Sequence, residues 1–154
     1  MKKIKLTQGK FALVSDIDYT YLNQWKWCVA GYAKRHGQNN KLYIYMHKVI
    51  LRRMGYYRCN RGDHINGNKL DNRRSKLRPA TDLQNRRNQY KYKNNTSGYK
   101  GVYWLKTNKK WMAQIKITGR AKYLGSFVNK KEAAKAYNKA AKKHFGKFAR
   151  LNKV

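Results

Sequence analysis

The fold is decided by the stretch RCNRGDHINGNKLDNRRSKLRPATDLQNRRNQY, which runs from Arg58 to Tyr90. Within it, Asp63–Ile65 has the character of a strand and leads into Asn66-Gly67-Asn68, a strong turn signal. The polar loop ends near Leu77–Pro79, where a second short strand is predicted. The stretch therefore predicts a strand, a polar loop and a second strand, with a helix after them.

Capping patterns mark the start of two helices. Thr81 is followed three residues later by Gln84, which is the spacing of a capping box. Asn129 and Glu132 have the same spacing, and Gly146 is placed as a stop signal. The sequence therefore predicts one helix after Thr81 and a longer one over Asn129–Phe145.

The remaining elements indicate an α+β fold in two parts. Residues 3–14 predict a hairpin around Gln8-Gly9, and a short helix is expected at Tyr21–Trp25. Near the C-terminus, three strands are predicted at Gly101–Leu105, Lys110–Thr118 and Lys122–Phe127. We expect domains at residues 1–90 and 98–154, the second a small three-stranded antiparallel sheet with one packed helix. A basic linker is expected at residues 91–97.

The charge balance identifies nucleic acid as the expected partner. The chain of 154 residues has 38 Lys and Arg against 6 Asp and Glu, a formal net charge of +32. A basic surface of this kind binds the phosphate backbone by releasing counterions. An aromatic content of 14% argues against a disordered basic tail. A ribosomal or other RNA-binding protein fits the charge equally well.

No membrane or secretory signal is expected in the sequence. No apolar run approaches the roughly 20 residues that span a bilayer, and no signal-peptide pattern is present. Cys28 and Cys59 are isolated, so they predict neither a disulfide framework nor a cysteine zinc site. We expect a cytoplasmic protein of a microbial or phage-infected cell, and no protein partner is evident.

A carboxylate beside a histidine is the strongest chemical signal in the chain. Asp63 directly precedes His64, and neighbouring side chains on a strand diverge, so one can bind a metal while the other faces an attacking water. Asn85 adds a neutral oxygen near the start of the predicted helix. Magnesium prefers such oxygen ligands. These residues, taken singly, are equally typical of turns and solvated helices.

The ordered set of motifs resembles the HNH homing endonucleases of phages and mobile introns. It covers most of residues 4–90 and includes the stretches 46–50, 63–68, 70–74, 77–78 and 84–85. The resemblance implies a ββα-metal nuclease domain in which His64 is the general base that deprotonates water. It further implies that Asp63 and Asn85 hold one divalent metal, Mg²⁺ or Mn²⁺. His47 and Asn72 are possible supporting residues.

One position departs from the pattern of that family. Its middle Asn normally precedes the Leu of the second strand and fixes the loop through backbone hydrogen bonds, and Lys76 occupies this position here. Either Asn72 replaces it or the loop is held in another way. A DNA-binding protein with a decayed nuclease centre is therefore the alternative to an active enzyme.

The C-terminal part resembles the APETALA/ethylene-responsive-factor DNA-binding domain over residues 97–152. The motifs are the stretches 97–102, 110–111, 113–115, 123–127 and 132–137. The resemblance implies that the sheet contacts double-stranded DNA. The expected contact residues are Lys100, Tyr103, Gln114, Lys116, Arg120, Lys122 and Tyr123. The whole chain is thus expected to be a sequence-preferring DNA endonuclease that nicks or cuts duplex DNA, with homing as its setting.

Overall fold

Strands and short helices alternate through the computed structural model, which describes residues 1–37, 42–59 and 61–154. Two compact units are present, Met1–Asn85 and Arg86–Val154, and the second includes residues 91–97. The first contains β1 (Lys2–Lys5), β2 (Phe11–Val14), α1 (Asp16–Leu22), β3 (Cys28–Ala30), β4 (Tyr32–His36), β5 (Tyr43–Tyr45), α2 (Met46–Arg53), β6 (Arg61–His64) and β7 (Leu77–Ala80). Helix α3 (Asp82–Arg87) crosses the boundary, and β8 (Val102–Leu105), β9 (Lys110–Ile117), β10 (Arg120–Phe127) and α4 (Lys130–Phe145) follow.

All sheets of the described residues are small and antiparallel. They are the pairs β1-β2 and β6-β7 and the three-stranded sheets β3-β4-β5 and β8-β9-β10. Together with four helices, they confirm the α+β class. Within the described ranges, every helix is too short or too polar to cross a bilayer.

The N-terminal elements confirm one prediction and correct another. β1 and β2 form the predicted hairpin, and Gln8 and Gly9 at its turn both have positive φ angles, 60° and 64°. The helix predicted at Tyr21–Trp25 is wrong, because α1 begins at Asp16 and ends at Leu22. Ser15 precedes the helix, and Asp16 and Asp18 lie in its first turn, a local start signal that the prediction did not use.

The two predicted capping boxes differ in outcome. At α3, the Thr81 N–H donates to Gln84 Oε1 at 2.8 Å, and the Gln84 N–H donates to Thr81 Oγ1 at 3.2 Å, so this box is confirmed. At α4, the Asn129 side chain accepts from the Lys131 N–H at 2.8 Å. The predicted return bond from Glu132 does not form, and a single cap begins this helix. Gly146 ends α4, as predicted.

The core of the first unit packs α1 and α2 against the strands. Helices and strands both contribute buried residues, because each element has one apolar face that packs away from water. They are Ile4, Leu6, Ala12, Val14, Leu22, Trp27, Ala33, Met46, Ile50, Leu51 and Leu77. Leu77 brings β7 into this core and so fixes one edge of the β6-β7 hairpin.

A buried ion pair cluster joins three distant segments of the first unit. Asp18 of α1 is fully buried, and its carboxylate accepts from Arg53 Nε at 2.8 Å. The same carboxylate accepts from Arg74 Nε and Nη2 at 2.7 and 2.8 Å. Burial opposes ionisation of Asp18, but the hydrogen bonds from Arg74 and Arg53 hold its pKa below the usual value. The cluster therefore ties α1 and α2 to the segment before β7.

The second unit packs α4 on one face of its sheet. Ala133, Ala134 and Tyr137 of the helix are buried against the sheet, because small side chains allow a close approach. Gly101 lies under Tyr137 with a φ of 75°, and any side chain there would collide with the tyrosine ring. Only glycine fits this contact.

Candidate active site

The β6-β7 hairpin presents Asp63 and His64 on opposite faces. In its register Asp63 lies opposite Arg78, and His64 lies opposite Leu77. Successive side chains of a strand point to opposite faces, and alternate ones share a face. Gly62 shares its face with His64, and a Cβ atom there would lie 2.8 Å from Cδ2 of His47. The His64 face therefore points toward α2.

His64 is buried, with 5% exposure, and is oriented by an asparagine. Its Nε2 lies 3.2 Å from Oδ1 of Asn72. An amide oxygen only accepts hydrogen bonds, so this contact places the ring proton on Nε2. The contact holds the ring in one orientation.

The surroundings of His64 favour its neutral form. Burial is the largest cause and lowers its pKa from the ordinary value of 6.5, and the charge of Lys69 acts in the same direction. The hydrogen bond to Asn72 and the charges of Asp63 and Asp71 oppose the change without reversing it. His64 is therefore an uncharged imidazole at neutral pH, which is the state a general base requires.

Aromatic rings enclose His64 on the α2 side. The His47 ring is 5.2 Å from the His64 ring, in an edge-to-face arrangement, and the Tyr32 ring is 5.9 Å away. His47 is 7% exposed, and its Nδ1 has no hydrogen-bond partner among the described residues. Burial, with the charges of His64 and Lys48, lowers the pKa of His47 to about 3. His47 is thus a neutral packing partner of His64.

Asp63 is buried and paired with an arginine that the sequence did not indicate. Its Oδ2 accepts from Arg78 Nε at 2.7 Å and from Arg78 Nη2 at 2.6 Å. Asp63 is 3% exposed, and such a charge is stable there only when it is paired. The arginine holds the carboxylate in one orientation on its face of the hairpin.

Asn85 reaches the hairpin from α3. Its Nδ2 donates to the backbone carbonyl of Gly62 at 3.2 Å, one residue before Asp63. The bond directs Oδ1 away from Gly62, and this oxygen accepts no hydrogen bond from the part of the chain that the structure describes. The capping box of Thr81 and Gln84 sets the start of α3 and thereby the position of Asn85.

The oxygens of Asp63 and Asn85 fit a hard divalent cation. One is a carboxylate and the other an amide oxygen without a partner in the described ranges, which are the ligand types that Mg²⁺ takes beside water and substrate phosphate. Across those ranges, no three His, Cys, Asp or Glu side chains group closely enough to hold a metal by themselves. Water and substrate would have to complete the coordination of any ion held there.

The loop between β6 and β7 is held by Asp71 and Asn72. Asp71 accepts from Arg73 Nε and Nη2, both at 2.7 Å, and from Asn66 Nδ2 at 2.8 Å. The Asn72 N–H donates to the backbone carbonyl of Leu13 at 2.8 Å. Lys76 contributes only backbone bonds, to Ile65 and Arg73. The loop is thus fixed without an Asn at the position of Lys76.

The sheet of the second unit has one open face with polar and aromatic side chains. Trp111, Ala113 and Ile115 of β9 face α4, as alternation predicts, so Gln114 and Lys116 face the other way. Tyr103 joins them, and its hydroxyl donates toward Met112 Sδ and Gln114 Oε1 at 2.6 and 3.4 Å. The pairing of Tyr123 with Gln114 places Tyr123 on the same face. The structure thus groups Tyr103, Gln114, Lys116 and Tyr123.

Arg120 and Lys122 do not share that face. In the β9-β10 register, Arg120 lies opposite Ile117 and Lys122 lies opposite Ile115. Paired residues point to the same side of a sheet, and Ile115 and Ile117 both pack toward α4. The two basic side chains therefore lie on the helix side, on the edge strand, where both are exposed.

The side chain of Lys100 is bonded to the segment that precedes the sheet of the second unit. Its ammonium donates to the backbone carbonyls of Arg87 and Gln89, each at 2.7 Å. Its backbone N–H and carbonyl are both bonded to the side chain of Asn152, at 2.7 and 3.0 Å. Burial, with the nearby charge of Arg150, lowers the pKa of Lys100 to about 8. The structure thus separates Lys100 from the other expected DNA contacts.

Three residues near the hairpin were missed by sequence reasoning: Arg78, Tyr32 and Lys69. Arg78 lies on the predicted second strand, but nothing in the sequence marked it as the partner of Asp63. Tyr32 had no local signal, because β4 reaches His64 only through the tertiary fold. Lys69 lies in the loop, with its Nζ 4.6 Å from the centre of the Tyr32 ring.

Two known proteins are similar in sequence to this chain. The chain is 31% identical over 157 residues to an uncharacterized HNH endonuclease of Acanthamoeba polyphaga mimivirus, and the match covers 96% of this chain and 77% of the relative. It is 38% identical over 66 residues to Protein 3.8 of Escherichia phage T7, covering 43% of this chain and 51% of that protein. No protein-family model matches the chain.

Proposed function

The chain belongs to the HNH endonucleases, and on this premise we propose that it hydrolyses phosphodiester bonds of double-stranded DNA at preferred sequences. Catalysis is assigned to the hairpin and helix formed by β6, β7 and α3, as a ββα-metal centre, and recognition to the sheet of the second unit. The net charge of +32 supports a polyanionic substrate.

The observation that carries the proposal is the state of His64. It is neutral, buried and oriented by Asn72. In this state it accepts a proton from water as the water attacks phosphorus in line with the leaving 3′ oxygen. The packing of His47 and Tyr32 limits rotation of the ring and so preserves this orientation.

Asp63 and Asn85 would hold one Mg²⁺ or Mn²⁺ ion. A bound divalent ion supplies charge stabilisation for the phosphate oxygens and the leaving oxygen. Asp63 contributes the negative charge, and Arg78 keeps its carboxylate oriented. Asn85 contributes the neutral oxygen that its bond to Gly62 leaves available.

Sequence preference is assigned to an APETALA/ethylene-responsive-factor type sheet. On its open face Gln114 is suited to an adenine edge, and Lys116 to guanine or phosphate. Tyr103 and Tyr123 flank them. Arg120 and Lys122 on the edge strand are suited to phosphate contacts, while Lys100 is assigned a structural role. Homing by a mobile element or phage in a microbial cytoplasm is the setting we propose.

The test is cleavage of plasmid and phage DNA with Mg²⁺ or Mn²⁺, comparing the wild-type chain with His64→Ala. We expect metal-dependent nicks or cuts in the wild type, and at least about a thousandfold slower cleavage in the variant, since base and geometry are both lost. DNA binding should be retained by both proteins. Binding without cutting by either would indicate a decayed centre and make Lys76→Asn the reversion to try.

A further inference from the structure

An exposed lysine stands beside the candidate base, held by an aromatic ring. Lys69 follows the Asn66-Gly67-Asn68 turn, and its Nζ lies 4.6 Å from the centre of the Tyr32 ring. The same ring is 5.9 Å from the His64 ring. Lys69 is also close enough for its charge to act on His64. Tyr32 thus links the lysine to the base.

The position of Lys69 is defined on both sides. Before Lys69, the side chain of Asn68 accepts a hydrogen bond of 3.0 Å from the backbone N–H of Leu70. The carbonyl of Leu70 accepts from the N–H of Leu13 at 2.9 Å, which fixes the backbone directly after Lys69. A cation held over an aromatic face loses less freedom on binding a ligand than a lysine in solvent does.

The Lys69 ammonium has no carboxylate partner among the residues that the structure describes. The acidic side chains around the hairpin are already engaged: Asp63 with Arg78, and Asp71 with Arg73. A lysine that is exposed, restrained and without a counterion is suited to an anionic ligand. At this place the anion that the proposed reaction supplies is a phosphate of the DNA backbone.

We propose that Lys69, restrained by Tyr32, binds the phosphate at or next to the scissile bond and positions it for attack beside His64. The inference rests on the proposed nuclease function. Lys69 is a phosphate-binding residue in this scheme, and Tyr32 is the positioning residue that acts through it.

The experiment uses the full chain and single-residue variants of Lys69, Lys10 and Tyr32. We expect Lys69→Met to lower kcat for plasmid cleavage by about a hundredfold, with a smaller change in KM, as loss of a charge-stabilising donor does. Lys69→Arg should recover most of the rate. Lys10→Met removes an equal charge at the exposed β1-β2 turn and should cut at the wild-type rate. Tyr32→Leu removes the aromatic ring that restrains the lysine and should lose part of the cleavage rate.

A binding measurement separates this inference from the proposed function. In a His64→Ala background, which is expected to bind without cutting, the affinity for a labelled duplex is measured across a series of KCl concentrations. Lys69→Met should reduce the salt slope by about one, and Lys10→Met should leave it unchanged. This readout applies even where the wild type cuts no DNA, the result that would refute the proposed function alone. Equal slopes and equal cleavage rates for the Lys69→Met and Lys10→Met variants would overturn the inference.

Discussion

At the scale of single residues, burial keeps His64 neutral and Asn72 orients its ring. Oδ1 of Asn72 lies 3.2 Å from Nε2 of His64. This amide oxygen orients the imidazole but carries no formal negative charge. A carboxylate at the same position would favour the charged imidazolium instead. The asparagine therefore orients the ring without adding a negative charge that would stabilise the imidazolium.

Asn72→Asp tests this role of the amide. Because a buried carboxylate next to His64 raises the pKa of the imidazole, we expect the acid limb of the pH–rate profile to move to higher pH by about one to three units. Asn68→Asp adds the same charge at an exposed position of the same loop and should shift it little. Single-turnover cleavage between pH 5 and 9 measures both. An unshifted limb in Asn72→Asp would contradict the assigned role.

At the scale of elements, Asp18 is the junction between α1, α2 and the segment before β7. Asp18→Asn removes the charge that Arg53 and Arg74 share and leaves two guanidinium groups beside a neutral side chain. We expect the free energy of unfolding to fall by about 3 kcal/mol, as for other broken buried ion pairs. Urea denaturation measures it. Asp16→Asn in the same helix turn, at an exposed position, should leave the midpoint nearly unchanged, and equal effects would argue against the cluster.

Gly101→Ala tests the close contact between the sheet and α4. A methyl group there meets the Tyr137 ring, and a positive φ adds backbone strain. Gly119→Ala provides the control, since its φ is 88° but nothing lies within 4 Å of an added Cβ. We expect Gly101→Ala to destabilise the second unit by about 1–3 kcal/mol more than Gly119→Ala. Thermal unfolding followed by circular dichroism compares the two, and equal midpoints would refute the packing argument.

Local patterns predicted the elements better than their contacts. The Thr81–Gln84 box and the alternation of β9 depend on neighbours in sequence, and the structure confirms both. The contacts of Asp18 with Arg53 and Arg74 join residues 35 and 56 positions apart, and no local pattern predicted them. For the same reason the contact between Tyr32 and His64 was not predicted, because no sequence periodicity relates the two residues.

At the scale of the whole molecule, charge dominates behaviour toward DNA. A net charge of +32 on 154 residues, with each unit strongly basic, predicts many simultaneous phosphate contacts. Each contact contributes about −0.9 to the slope of log affinity against log salt, so we expect a slope steeper than about −5. Equilibrium binding to a duplex between 50 and 300 mM KCl measures it. A slope shallower than about −2 would contradict a large number of phosphate contacts. A preference for structured RNA over duplex DNA would favour an RNA-binding protein.

The bonds of Lys100 have a consequence for anyone who transplants the second unit. Its ammonium takes its acceptors from Arg87 and Gln89, upstream of the first residue of the sheet. A graft that starts at residue 98 would deprive the half-buried Lys100 ammonium of both carbonyl acceptors, whereas one that starts at Arg86 includes them. The natural cutting point for chimaeric nucleases is therefore inside α3, and libraries of spliced enzymes should place their junctions there.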